Sequence, residues 1–183
     1  MEIINTSIEG LYIINPVVHT DARGYFFESY SKKDFALANI HYDFIQDNVS
    51  FSHQGTIRGL HFQKGEHSQA KLVSVTSGIV LDVALDLRPN SPTFGHYEAV
   101  LLSSENKQRF LIPRGFAHGF SVLSDHAEFT YKCDNAYCKE SEAGIRFNDI
   151  DLNIDWRIKP NPSLISEKDL ILPTFKEFCS SCI

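Results

Sequence analysis

The chain has 183 residues, 43% of them hydrophobic and 22% charged, with a net charge of −6 at pH 7. That length carries one substantial core and is short for two. The negative balance argues against a general nucleic-acid binder, which needs a basic face to release counterions. The opening residues, MEIINTSIEG, lack the basic and apolar regions of a signal peptide. No apolar run reaches membrane-spanning length, since GIVLDVALDL is interrupted by Asp82 and Asp86. The expectation is a cytoplasmic protein that meets neither membrane nor nucleic acid.

Strand patterning dominates from the start. The runs LYII from residue 11 and YFFESY from residue 25 are rich in aromatic and β-branched residues. Turn chemistry from Asp21 to Gly24 separates them. One helical stretch follows, SKKDFALAN, with Ser31 as N-cap and Asp34 three residues on, a variant of the capping box. Next come FIQDNVSF from residue 44, GTIRGLHFQ from residue 55 and KLVSV from residue 71. In GIVLDVALDL, strict alternation puts Ile79, Leu81, Val83, Leu85 and Leu87 on one face, with Val80, Asp82, Ala84 and Asp86 on the other. HYEAVLL from 96, RFLIP from 109 and AEFTYKC from 127 complete the set, with turns at Ser77-Gly78, Pro89 to Pro92 and Ser103 to Asn106. Many short strands at such spacing predict a closed antiparallel sandwich or barrel. The Pro-rich stretch from about residue 157 to 183 is expected to wrap its outside, within a single domain of residues 1–183.

Polar side chains at inward positions are informative, because burying one without a partner costs a few kcal/mol. Lys71 shares a strand face with Val73 and Val75, and Tyr131 shares one with Phe129 and Cys133. If those faces point inward, an ammonium and a phenol enter the same interior as His61, which makes a site. IPRGFAHGF carries the P-x-G-x-x-H pattern seen in cupin barrels, through Pro113, Gly115 and His118. A metal cupin also needs two histidines one residue apart, and the residue two after His61 is Gln63. Two imidazoles fall short of the three or four ligands a divalent ion takes, so no metal is expected. His61 instead suits a general base, since its free form is available near neutral pH. Asp169 on the C-terminal wrap is a candidate to orient it. The four cysteines are Cys133, Cys138, Cys179 and Cys182. A zinc site would need the first two folded against the tail, and the favoured reading is reduced thiols.

The segments DARGYFFESY, QDNVSFS, GTIRGLHFQ, QAKLVSVTSGIVLDVALDLRPNSPTFG and LSSENKQRFLIPRGFAHGFSVLSDHAEFTYKCDNAY, with SEAGIRFNDIDLNIDW, closely resemble the dTDP-4-dehydrorhamnose 3,5-epimerase family. The resemblance runs from about the tenth residue to the SEKD segment. It implies an all-β fold, a cupin-type jelly-roll β-barrel with a few short peripheral helices, working as a homodimer without metal or other cofactor. It implies inversion of C3 and C5 of dTDP-4-dehydro-6-deoxy-D-glucose on the route to dTDP-L-rhamnose. On this resemblance His61 is the base, Asp169 its orienting partner, Lys71 the stabiliser of the enolate oxygen at C4, and Tyr131 the acid on the opposite face. Arg23, Glu28, Gln46, Asp47, Asn48, Arg58, His118, Glu142 and Lys168 fall on nucleotide- and sugar-contacting positions. Phe26 and Tyr137 fall where aromatic packing against the nucleotide is expected, some of it from the partner subunit.

The sequence departs from the family pattern at Glu66 and His67, where a Pro and an aromatic residue are common, and at Lys139, where a Pro is common. Both places bear on nucleotide contacts rather than on the chemistry. Alternation also sets Arg58 and His61 on opposite faces, so an irregularity is expected at Gly59. Three other readings remain open: an epimerase acting at C3 or C5 alone, a sugar-nucleotide-binding cupin without catalysis, and a metal-dependent oxygenase.

Overall fold

The computed structural model describes residues 1–181. Thirteen strands and three short helices are found among the described residues. In chain order they are β1 (Glu2–Asn5), β2 (Tyr12–Asn15), β3 (His19–Asp21), β4 (Gly24–Phe26), α1 (Lys32–Leu37), β5 (Gln46–His53), β6 (Ile57–Gln63), β7 (Lys71–Ser77) and β8 (Ile79–Asp86). Then follow β9 (Tyr97–Ser103), β10 (Arg109–Ile112), β11 (Phe116–Val122), β12 (His126–Cys133), β13 (Glu142–Gly144), α2 (Glu167–Leu170) and α3 (Phe175–Ser181). The Ser31 hydroxyl accepts the Asp34 N–H at 3.3 Å to start α1. Asn39 just beyond the helix end takes φ +60°, a conformation Asn tolerates better than most residues.

The strands form two large antiparallel sheets, ordered β1-β2-β10-β7-β12-β5 and β13-β6-β11-β8-β9, plus the β3–β4 hairpin. They make the cupin-type jelly roll that the resemblance implied, with the sheets stacked rather than joined by hydrogen bonds into a closed cylinder. Val73, Val75, Phe110 and Phe129 of one sheet pack against Val80, Ala84, Phe116 and Phe120 of the other. This is the interior, and Lys71 and Tyr131 point into it with their strand neighbours.

The face of β8 that alternation made wholly apolar is not the interior one. Leu81, Val83, Leu85 and Leu87 lie on the outer side, under Ile145, Phe147, Leu152, Trp156 and Ile165. The covering segment therefore begins at Ile145, ahead of residue 157. The indole N–H of Trp156 donates to the Phe147 carbonyl at 2.7 Å and the Ser121 hydroxyl to the Trp156 carbonyl at 2.8 Å, which satisfies polar groups that the wrap buries. On the other sheet, Phe35 and Ile40 cover Ile14, Leu72 and Leu111.

Several strands depart from the sequence expectation, β11 and β4 among them. β11 is buried along its whole length, so it shows no alternation, and its glycine and histidine hid it. YFFESY contributes only its first two residues to β4, which pairs with β3 and with neither large sheet.

Candidate active site

Strand β6 holds the key irregularity. His118 of β11 faces His61 and Phe120 faces Arg58, so three steps along β6 oppose two along β11. The extra residue is a bulge, and the irregularity expected at Gly59 is there. Gly59 has φ +135°, and a Cβ on it would sit 2.5 Å from the Gly119 Cα. Only glycine fits, and the bulge brings both Arg58 and His61 to one cavity.

That cavity has a volume of about 580 Å³, lined among others by Arg58, His61, Lys71, His118, Tyr131 and Asp169. A second recess of about 310 Å³ shares His61, Lys71 and Tyr131 and continues past Gln46, Asn48, Tyr137 and Glu142. His61 comes from one sheet, and Lys71 and Tyr131 from the other, so imidazole and phenol stand on facing walls.

Asp169 Oδ1 lies 2.5 Å from His61 Nε2. Asp169 sits on α2, capped by Ser166, and is only 3% exposed. Burial alone would raise its carboxyl, but hydrogen bonds from His61, Ser166 and the Gly59 N–H outweigh it and hold the group below the usual carboxylate range. An ionised Asp169 accepts the Nε2–H of His61, which leaves the lone pair on Nδ1. The Lys71 Nζ lies 5.9 Å from the Tyr131 ring centroid. Burial pushes Lys71 down and Tyr131 up, so the phenol keeps its proton near neutral pH. Among the described residues no carboxylate forms an ion pair with Lys71, which leaves its charge for a ligand oxygen.

His118 is buried, and its Nε2 meets both oxygens of Asp82, at 2.9 and 3.1 Å. Burial pushes this imidazole down against the pull of Asp82, so it is neutral and donates one N–H. Asp82, fully buried, was not singled out from the sequence. The signal was a carboxylate between Val80 and Ala84 on the interior face of β8. Ser52, whose hydroxyl accepts from Arg58 Nε at 3.0 Å, carried no such signal.

Most of the expected site residues converge. Arg58, His61, Lys71, His118, Tyr131, Lys168 and Asp169 line the main cavity, and Gln46, Asn48, Tyr137 and Glu142 the recess. Four do not. Asp47 points to the outer side of β5, between Gln46 and Asn48, and pairs with Lys132 at 2.8 Å. Arg23 pairs with Asp21 at 2.5 Å on the β3–β4 hairpin, and Phe26 there is 66% exposed. Glu28 lines a separate hollow beside Arg109. Cys133 is buried near Lys71, Cys138 is on the loop before β13, and Cys182 lies outside the described residues. No group of three or more His, Cys, Asp or Glu is arranged for a metal ion among the described residues. Likewise no helix there is long and apolar enough to cross a membrane.

Comparison with known proteins gives the family. The dTDP-4-dehydrorhamnose 3,5-epimerase family profile matches residues 5–177. The dTDP-4-dehydrorhamnose 3,5-epimerase of Escherichia coli K12 is 49% identical over 180 residues, 97% of this chain and 96% of the relative. The crystal structure of the Elizabethkingia anophelis enzyme of that name is 53% identical, with a TM-score of 0.90 and 97% of each chain covered. A Legionella pneumophila dTDP-6-deoxy-D-glucose-3,5-epimerase in complex with dTDP-4-keto-L-rhamnose is 45% identical, with a TM-score of 0.92, covering 100% of this chain and 96% of that one. With the fold, the facing His61 and Tyr131, and these likenesses in agreement, the chain belongs to the dTDP-4-dehydrorhamnose 3,5-epimerase family.

Proposed function

We propose that this protein inverts C3 and C5 of dTDP-4-dehydro-6-deoxy-D-glucose, giving the L-lyxo sugar on the route to dTDP-L-rhamnose. The observation that carries the reading is a base and an acid on facing walls of one cavity with an unpaired ammonium beside them. A hydrogen next to the C4 ketone leaves readily only if the developing enolate is stabilised. His61 Nδ1 takes that proton, and Asp169 stabilises the imidazolium that forms. Lys71 faces the oxygen at C4, where negative charge grows, and such fixed charge is often the largest catalytic contribution. Tyr131 then delivers a proton to the opposite face of the same carbon, and exchange with water resets both groups. The sequence at C3 is repeated at C5. The substrate's own carbonyl is the electron sink, so this route calls on no cofactor.

Arg58 and Lys168 are the cations placed for the diphosphate, since forked or point donors suit its oxygens. The protein acts in the cytoplasm as a homodimer, in which a second copy supplies Arg23, Phe26 and Glu28. What supports this is that those three stand away from their own cavity, Arg23 and Phe26 on the exposed β3–β4 hairpin and Glu28 in the hollow beside Arg109. The test is incubation with the 4-keto sugar nucleotide in heavy water, read by NMR. Deuterium is expected at both carbons. Deuterium at one carbon means a single-site epimerase, and deuterium at neither overturns the proposal.

A further inference from the structure

A hollow of about 200 Å³ lies away from the catalytic cavity and its recess and shares no lining residue with either. It opens where Tyr25 and Phe27 of the β3–β4 hairpin region meet β7 and the loop before β10. Arg109, the first residue of β10, lines it and is only 8% exposed. Its Nε has no hydrogen-bond partner, and no carboxylate among the described residues forms an ion pair with the guanidinium. Glu28 and Asp34 share a neighbouring hollow with Arg109 but do not pair with it. The carboxylate that supports its charge is Asp47, which is committed to Lys132 at 2.8 Å. Burial lowers Arg109 to about 10, so it stays charged at neutral pH. A buried guanidinium without a counter-ion is destabilising, and an anion beside it removes that penalty.

Lys107 is the second cation at the hollow. Its ammonium lies 4.1 Å from the Tyr25 ring centroid and donates to the Ser104 carbonyl at 2.9 Å. The loop that presents it is held in shape, since the Ser103 N–H donates to Asn106 Oδ1 and the Asn106 N–H to Ser103 Oγ, each at 3.0 Å. Ser74 faces Arg109 across the ladder, but its hydroxyl is bonded to Thr130 at 2.8 Å, and that of Thr76 to Glu128 at 2.7 Å. The charged donors left for a ligand are the guanidinium and the ammonium, and no carboxylate lines the hollow.

We propose that this hollow is a separate anion site, in which Arg109 and Lys107 hold one inorganic oxyanion of phosphate size between the β3–β4 hairpin and the sheet that contains β10. A dianion matches the two cations, and the fork of a guanidinium suits two oxygens of one phosphate. The volume sets the upper limit on size: pockets that enclose drug-sized ligands begin at about 300 Å³, so a single oxyanion fits and a nucleotide does not. The hairpin makes no ladder with either large sheet, and the anion fills the gap between them.

Calorimetric titration with sodium phosphate in chloride buffer tests this, with thermal unfolding at matched ionic strength as a second readout. The parent should bind phosphate with a Kd of about 1 mM or below, inside what about five non-hydrogen atoms can supply. Arg109→Met should abolish that binding. Lys107→Asn, which puts a tolerant residue at the φ of +55° found there, should weaken it about tenfold. Arg58→Met combined with Lys168→Met removes two cations of the catalytic cavity and should leave the phosphate site intact. With phosphate about 100-fold above Kd, the parent Tm should rise by about 5–10 °C, and that of Arg109→Met by no more than a general salt effect. Absence of phosphate binding by the parent overturns the proposal, as does binding that survives Arg109→Met and is lost in the Arg58 and Lys168 double variant. An unchanged Kd in Lys107→Asn overturns it whether or not Arg109→Met folds. Sedimentation separates the remaining source of an anion: if Arg109→Met breaks a dimer in chloride buffer, the guanidinium is spent on a carboxylate of a second copy and the proposal fails.

Discussion

Replacing Asp169 with Asn isolates the electrostatic part of the base. The two side chains have nearly the same shape, and the site lies on α2 with its Ser166 cap intact. Two things change. The carboxylate that accepts the Nε2–H at 2.5 Å becomes an amide that can donate instead, which favours the tautomer with its proton on Nδ1. The negative charge facing the imidazolium is also lost. Unit charges about 4 Å apart interact by about 4 kcal/mol at an effective dielectric of about 20. A barrier raised by that much slows the step about 10³-fold. The expected result is a fall in kcat of about 10²–10⁴-fold, the range seen when a positioned base is lost. The assay is NMR of deuterium entry at C3 and C5, with dTDP titration and thermal unfolding as controls. The Kd for dTDP should stay within about threefold, a change worth less than about 1 kcal/mol. Turnover within tenfold of the parent, in a variant that folds, would refute the orienting role.

Three further outcomes are expected. Tyr131→Phe should cut inversion about 10²–10⁴-fold while proton removal and deuterium exchange partly survive, because the base remains; equal loss of both would place Tyr131 on the wrong step. Gly59→Ala forces a Cβ toward the Gly119 Cα at 2.5 Å and a side chain into φ +135°. It should cost about 1–3 kcal/mol, read as a lowered Tm, with activity falling as Arg58 and His61 lose their common aim. Unfolding against pH checks His118. Its folded pKa lies below the unfolded value, so the unfolded chain binds the extra proton and stability drops as pH falls below about 6.5. His118→Gln should flatten the Tm profile between about pH 7 and 5, and parallel profiles would show that His118 does not titrate as described.

Local chemistry was enough for several features. Ser31 capping α1, the turn at Ser77-Gly78 and the alternation of β8 follow from interactions within a few residues. The segments around His61, Lys71 and Tyr131 also marked their strands, since each sets a polar side chain among apolar ones. Their meeting in one cavity rests on long-range pairing, with β6 against β11 and β7 against β12. The irregularity at Gly59 was legible because two residues of opposite alternation were needed on one side. Asp82 was visible as an oddity, but its partner His118 is set by the β8–β11 register.

The sequence by itself determined that this is a strand-rich chain with an imidazole, an ammonium and a phenol embedded in apolar runs, because periodicity and residue type are local properties. Only the tertiary structure decided which face of each strand was the interior. The most apolar side of β8 lies outward because residues 145–165 bring a second core to cover it, and the side carrying Asp82 faces the cavity. Likewise Gln46 and Asn48 reach the recess while Asp47 between them turns to Lys132, since a strand sends neighbours to opposite sides and only the packing of the sheets says which side is in.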